Sequence, residues 1–275
     1  MSITYYMLQI PPIALFIILI VVGGILSGGA TYLFRKYVQV KVLRSHNEVT
    51  GFFFLAIASF YAFLLGFVVL AVFAQLSDTQ NNVSKEGSAA MGLYRDIKFY
   101  PDTADAKQLL SAYLQFVYNV IDDEFPKMER MQQSRLTPES LNTVFHKIER
   151  LEPKTPFQIQ LVTVMFNHLN ELTAYRGLRT AAIESEIPAP MWLPIVFGAI
   201  LTCICAMFLD IEYIHLHVAL NALLGIFIAM FLFMIIILDH PFTGSLGIKP
   251  KAYKQIFTTE QWTQELPANK SVITL

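Results

Sequence analysis

The chain has 275 residues, of which 55% are hydrophobic and only 15% are charged. Its mean hydropathy is +0.49. A soluble domain carries about 25% charged residues, so this composition excludes an ordinary soluble protein. The net charge of -1 argues against nucleic acid as a partner, because phosphate recognition needs an excess of basic residues.

Four long charge-free stretches dominate the sequence. A helix of about 20 apolar residues crosses the hydrocarbon core of a bilayer, where unpaired backbone groups would find no partner. All four stretches are long enough, so we predict an integral, multi-pass membrane protein whose first partner is the lipid bilayer. The predicted spans are residues 11–34, 51–77, 188–209 and 214–238.

The spans are grouped two and two around a polar middle. We predict an all-α membrane protein with a transmembrane hairpin at 1–77, a helical extramembrane bundle at 78–187 and a second hairpin at 188–238. Apolar residues in the middle recur at helical spacing. Prolines and glycines such as Pro241 and Gly244 predict an irregular tail over 239–275.

The second apolar stretch is longer than a bilayer requires. Its 29 residues, 49–77, would form about 44 Å of helix, whereas the hydrocarbon core is about 30 Å thick. We therefore predict one helix that leaves the membrane and continues through Asp78 and Glu86 towards Arg95.

Small residues in the first span favour close helix packing. Gly24 and Gly28 lie four residues apart, which lets another helix approach closely. That helix could belong to the same chain or to another copy, and ordinary packing within the chain is the simpler interpretation.

Basic residues do not assign an orientation. Arg35, Lys36, Lys41 and Arg44 follow the first span, which favours a cytoplasmic loop there. Basic residues also flank the spans on the side of the middle domain, so the rule favours neither orientation. Those residues are Lys85, Arg95, Arg176, Arg179, Lys249, Lys251 and Lys254.

Motifs of catalysis and cofactor binding are absent from the sequence. There is no Gly-rich phosphate loop, GxSxG, HExxH or CxxC, and the six histidines form no metal-ligand spacing. We predict a protein that is not an enzyme and that holds no metal or cofactor. Asp122, Asp123 and Glu124 are adjacent on a predicted helix and point in different directions, which favours a solvated helix end over a cation site.

Two arginines precede the third span. Arg176 and Arg179 are one helical turn apart and could attract anions at the mouth of a pore. Alternatively, they pair with the nearby acids Glu184 and Glu186 and need no function.

The second span carries an aromatic cluster. Phe63 and Phe67 are four residues apart and share a helix face, which Ser59 and Phe60 extend by another turn. Several copies packed around an axis would place rings of phenylalanine at an apolar constriction, which can gate ions by dewetting. The simpler alternative is that these aromatics face lipid or neighbouring helices.

A combination of short segments resembles the bestrophin-like family of unknown function. The segments are Asn47, Gly51, Tyr61-Ala62, Leu65, Glu86, Leu93-Tyr94-Arg95, Asp123-Glu124-Phe125-Pro126, Arg176, Arg179, Pro188, Trp192 and Leu238-Asp239-His240-Pro241-Phe242-Thr243-Gly244. The family is named for a similarity to bestrophins, pentameric anion channels whose second span lines the pore. The resemblance implies a homo-oligomer, a bacterial inner membrane and small anions as the transported species.

The resemblance also assigns particular residues. Phe63 and Phe67 match two phenylalanines of the bestrophin neck, and Ser59 falls at a third neck position that is usually apolar. A post-span turn, Asp239, Pro241, Phe242 and Gly244, resembles the Pro-Phe-Gly that follows the last bestrophin span. No acidic run follows Gly244, so the resemblance does not extend to a calcium clasp.

Two functions are compatible with these observations. The first is an oligomeric channel for small anions such as chloride, with a constriction at Phe63 and Phe67. The alternative is a non-conducting, membrane-anchored helical sensor or binding module, which a polar pocket in the bundle and a Phe63 packed within its own protomer would favour.

Overall fold

A computed structural model of the protein describes residues 3–38, 44–101, 103–244 and 247–265. The described residues form helices and connecting segments, with no strand among them. The predicted all-α class is confirmed. These residues divide into two compact units.

The first unit contains the membrane-length helices. It comprises the described residues up to 77, residues 185–240 and Gly244. Four helices are long and apolar enough to cross a membrane. They are α2 (Pro12–Tyr37), α3 (Arg44–Phe99) in its apolar first part, α8 (Ala189–Met207) and α9 (Ile214–Asp239), preceded by the short α1 (Ile3–Met7).

Glycines bring α2 and α9 into close contact. A Cβ added at Gly225 would lie 2.3 Å from the Gly23 carbonyl oxygen, so neither position has room for a side chain. A Cβ at Gly28 would lie 3.1 Å from the Ala222 Cβ. Ordinary packing within the chain, the simpler interpretation of the small-residue spacing, is confirmed.

Helix α3 continues well past the apolar stretch. It is a single helix of 56 residues, about 84 Å long at 1.5 Å per residue. The predicted continuation through Asp78 and Glu86 towards Arg95 is therefore confirmed.

The second unit is a helical bundle. It comprises the described residues of 78–184, residues 241–243 and residues from 247 onwards. Beside the end of α3 it contains α4 (Ala104–Asn119), a π-helical turn (Val120–Glu124), α5 (Phe125–Glu129), α6 (Leu136–Glu149), α7 (Pro156–Ala181) and α10 (Lys251–Glu265). Threonines start two of these helices: the Thr103 side chain accepts from the Ala106 N–H, and Thr155 forms a capping box with Gln158.

The prediction of an irregular tail over 239–275 is wrong for residues 251–265, which form α10. Pro250 lies just before the first turn, where a missing N–H costs little, so it permits this helix. Tyr253 and Ile256 are buried on one face of α10. Gly87 makes room for the helix, since a Cβ there would lie 2.3 Å from the Ala252 Cβ. Residues 266–275 of the predicted tail lie outside the described part of the chain.

Candidate functional site

The phenylalanines of the second span form an exposed face of α3. Phe60, Phe63 and Phe67 are 78%, 76% and 63% exposed in the protomer. Ser59 is exposed on the same side of the helix. All four predicted constriction residues therefore lie on a surface that no other part of the described protomer covers.

The opposite face of α3 is packed and sets the direction in which the phenylalanines point. Tyr61, Leu65 and Val68 are buried in an apolar core with Ile195 of α8. The Tyr61 hydroxyl donates to the Ile195 carbonyl oxygen at 3.0 Å. A Cβ at Gly198 would lie 2.4 Å from the Tyr61 ring, so Gly198 is what admits this tyrosine. These contacts fix the rotation of α3 about its axis and hold the phenylalanine face outward.

A charged network lies in the core of the second unit. The Arg179 guanidinium is fully buried and donates through Nε and Nη2 to both carboxylate oxygens of Glu86, at 2.6 and 2.9 Å. Nη2 also donates to Glu124 Oε2 at 2.7 Å. The guanidinium carbon lies 4.7 Å from the centre of the Phe125 ring. Bidentate geometry and several donors to each carboxylate are what allow such charges to be buried.

Glu124, which takes part in this network, is the last residue of a π-helical turn. The turn Val120–Glu124 adds residues between α4 and α5, and π-helical turns are frequent at functional sites. Glu124 is 1% exposed. Arg176 pairs with it, through Nη2 to Oε1 and through Nε to Oε2 at 3.3 Å. The solvated helix end predicted for Asp122, Asp123 and Glu124 is therefore wrong for Glu124.

Tyr253 completes the network from α10. Its hydroxyl donates to Glu86 Oε1 at 2.6 Å. Burial, and then the neighbouring Glu86 carboxylate, raise the pKa of the Tyr253 phenol well above its ordinary value. Burial alone would lower the pKa of Arg179, but Glu86 and Glu124 outweigh it and raise the pKa above the ordinary arginine value. The network thus joins two arginines, two glutamates and one tyrosine through hydrogen bonds.

This geometry does not support the anion-attracting role predicted for Arg179. Its charge is buried and neutralised by two carboxylates. The alternative partners Glu184 and Glu186 are also wrong, because the carboxylates that bind it are Glu86 and Glu124. Glu86 and Glu124 are far from Arg179 in sequence, so local sequence patterns could not predict this pairing.

Arg176 lies beside a polar cavity of the second unit. The cavity has a volume of about 330 Å³, and its lining includes Glu124, Ser134, Arg176, Thr180 and Glu184. The Arg176 side chain is 13% exposed. It is therefore the one of the two predicted vestibule arginines that remains partly accessible.

The post-span turn consists of anchored residues. Asp239 ends α9, is 2% exposed and accepts from the Ile187 N–H at 2.8 Å, ahead of α8. Gly244 has a φ of 77°, a left-handed conformation that favours glycine. Pro241 and Phe242 belong to the second unit, where the buried Phe242 ring packs edge-on against Phe125 with ring centres 6.3 Å apart.

Residues 15–253 match the family described as Bestrophin-like domain. The chain belongs to this Bestrophin-like family. The predicted resemblance is confirmed, and together with the membrane-length helices it makes the chain an integral membrane protein. No curated protein matches the chain.

Solved structures share the fold of this Bestrophin-like chain. A bacterial bestrophin homologue from Klebsiella pneumoniae, solved as a variant, has 15% identity and a TM-score of 0.63 over 91% of this chain and 99% of its own. A second structure of a Klebsiella pneumoniae bestrophin homologue has 14% identity and a TM-score of 0.64, covering 87% and 95%. A structure described as a membrane protein has 14% identity and a TM-score of 0.65, covering 92% and 99%. At this identity the likeness establishes the fold.

Sequence reasoning missed the central role of Glu86, Glu124 and Tyr253. An acid within the predicted extension of α3 and a tyrosine in a proline-rich tail are ordinary when read locally. Their signal was weak: Glu86, Glu124 and Arg179 all occur among the residues that carry the family resemblance.

Proposed function

We propose that this Bestrophin-like protein is a homo-oligomeric channel for small anions such as chloride, in a bacterial inner membrane. The observation that carries the proposal is the exposed phenylalanine face of α3, whose opposite face is packed on α8. By the resemblance to bestrophins, copies of the chain would form a pentamer with this face towards a common axis. Rings of Phe63 and Phe67 would then form the constriction.

The proposed constriction selects by radius and by weak contacts. A hydrated anion cannot exchange its water for a phenylalanine surface, so an apolar ring is a barrier whose height depends on its width. Ser59 would add a ring of hydroxyls beside Phe60 and lower that barrier locally. Of the predicted vestibule pair, Arg179 is buried in the core, so Arg176 is the remaining candidate because it is partly accessible, although it is paired with Glu124.

Anion flux into liposomes tests the proposal. We would compare wild type with the double variant Phe63→Ala/Phe67→Ala, which widens the constriction. Chloride flux should change by about tenfold, because a shift of about 1.4 kcal/mol in the barrier changes a rate that much.

Phe73→Ala is the matched control. Phe73 is 58% exposed on the same helix but lies about 120° around it from Phe67. The chloride flux of Phe73→Ala should stay near that of wild type. Equal effects of both variants would mean that the phenylalanines act only as lipid-facing side chains. No flux from intact wild-type oligomers would contradict the channel.

One observation favours the alternative function. The polar cavity beside Arg176 and Glu124 is the kind of pocket that a sensor or binding module would use. Exposure of Phe63, rather than packing within its own protomer, weighs against that alternative. Ligand-dependent stabilisation of a protein that conducts no ions would support it.

A further inference from the structure

A groove in the first unit opens between α2, α8 and α9. Its volume is about 470 Å³, and aliphatic side chains such as Leu26, Ile200 and Ile204 line it. Its lining also includes small residues such as Gly23 and Ala30. These three helices have membrane length, so the groove faces the hydrocarbon of the bilayer. A concave apolar site of this size is typical of ligand pockets.

A small polar cavity adjoins the groove. It has a volume of about 100 Å³ and is lined by Arg35, Asp210 and residues near them. Met207 lines both spaces, so the apolar groove and the polar cavity are neighbours at the end of α8. An apolar groove beside a pair of charged groups suits a lipid, which has an apolar chain and a polar headgroup.

Arg35 and Asp210 in the polar cavity are paired, but their contacts with described residues do not use all of their hydrogen-bonding capacity. Arg35 Nη2 lies 3.5 Å from Asp210 Oδ1, and their side chains are 25% and 38% exposed. Arg35 Nη1 donates to the Ile211 carbonyl oxygen and lies 3.2 Å from His217 Nδ1. A guanidinium has five N–H donors, so the contacts of Arg35 with the described residues leave donors for another oxygen. The long contact with Arg35 also leaves the Asp210 carboxylate able to accept a hydrogen bond.

We propose that α2, α8 and α9 bind one molecule of phosphatidylethanolamine. One acyl chain fills the groove, the phosphate accepts from Arg35, and the ammonium donates to Asp210. The cavity carries one charge of each sign, which complements a zwitterionic headgroup. A phosphatidylglycerol phosphate could also accept from Arg35, but that headgroup has no cation for Asp210, and the choline of phosphatidylcholine has no N–H to donate. The site does not depend on ion conduction.

Native mass spectrometry of the purified full-length protein tests this assignment. The protein is placed in nanodiscs of phosphatidylethanolamine, phosphatidylcholine or phosphatidylglycerol with identical acyl chains, and the lipids it retains on release are counted. We expect retention of phosphatidylethanolamine about fivefold above the other two, the size of one modest charge-assisted contact.

Two variants separate the chain site from the headgroup site. Ala30→Phe fills the groove and should lower retention of all three lipids to background. Ile25→Phe, at a position that is 67% exposed on the same helix and does not line the groove, should retain lipid as wild type does. Asp210→Asn should keep chain binding but lose the preference for phosphatidylethanolamine over phosphatidylcholine. Circular dichroism and oligomer size would confirm that each variant is folded.

Three results would overturn the proposal. Equal retention of all three lipids by wild type would mean adventitious annular lipid only. Unchanged retention by Ala30→Phe would exclude the groove as the site. A photoreactive residue at position 200 that forms adducts between chains, and none with lipid, would assign the groove to a second copy of the protein.

Discussion

Different kinds of buried contact characterise the interiors of the two units. In the first unit, α2 and α9 meet through glycines, and a Cβ at Gly225 would overlap the Gly23 carbonyl. In the second unit, the largest fully buried side chain is that of Arg179, bound to Glu86 and Glu124. The first unit depends on close backbone contact, whereas the second has an apolar core that also holds paired charges.

This difference in buried contacts follows from the solvent of each unit, which is lipid for the membrane helices and water for the helical bundle. Lipid chains are as apolar as the side chains of α2 and α9, so burying those side chains gains little, and close van der Waals contact between backbones must hold the helices together. Amphipathic helices such as α6 gain from burying their apolar faces in a water-exposed bundle. Such a core can then hold charges, provided that every one is paired.

The largest expected effect comes from breaking the charge network. Arg179→Met should lower the free energy of unfolding by about 3–5 kcal/mol, because it leaves Glu86 and Glu124 buried without a cation. Thermal unfolding of the purified protein measures this. Arg176→Gln should cost less, since Glu124 keeps Arg179 as a partner.

A compensated variant checks the cause. Arg179→Met combined with Glu86→Gln and Glu124→Gln removes the unpaired charges and should recover part of the lost stability. If Arg179→Met alone unfolds at the wild-type temperature, the network is not what stabilises the second unit.

A smaller effect is expected from overpacking the first unit. Gly225→Leu should destabilise the protein by about 1–3 kcal/mol, because α2 and α9 must separate to admit the side chain. Gly29→Leu is the control, since a Cβ at Gly29 has nothing within 4 Å. Unfolding in increasing sodium dodecyl sulfate compares the two variants, and equal loss from both would exclude tight α2–α9 contact.

The smallest effect concerns Tyr253. Tyr253→Phe removes the hydrogen bond to Glu86 and should cost about 1 kcal/mol at neutral pH. Since burial raises the pKa of this phenol, its contribution is fully present below the unfolded pKa of about 10 and is lost as pH rises through the folded value. Wild-type stability should therefore be flat from neutral pH to about pH 9 and fall in more alkaline solution.

The phenylalanine variant separates Tyr253 from other phenols. The pKa of Tyr113 is raised in the same direction by burial, so Tyr253→Phe should reduce the alkaline loss without abolishing it. An alkaline loss of the same size in wild type and variant would show that the pKa of Tyr253 does not differ between the folded and unfolded states.

Local sequence patterns were sufficient to predict the features that depend on one helix alone. The charge-free stretches predicted the membrane helices, and the length of the second predicted that α3 continues beyond the bilayer. The four-residue spacing of Phe63 and Phe67 placed both on one face. These features follow from the helical repeat and the bilayer thickness. They can therefore be predicted from the length and residue spacing of a single segment.

Contacts between distant segments required the tertiary structure. Arg179 and Glu86 are 93 residues apart, and nearer acids such as Glu184 were equally plausible partners. Glu124, at the end of a π-helical turn, is buried beside Arg179. Gly87 leaves room for α10, where prolines and glycines had predicted an irregular chain. Sequence by itself determined which segments are apolar and most of those that are helical, because hydrophobicity and periodicity are local. Only the fold decided which charges meet and which faces remain uncovered, because those depend on how helices far apart in the chain pack together.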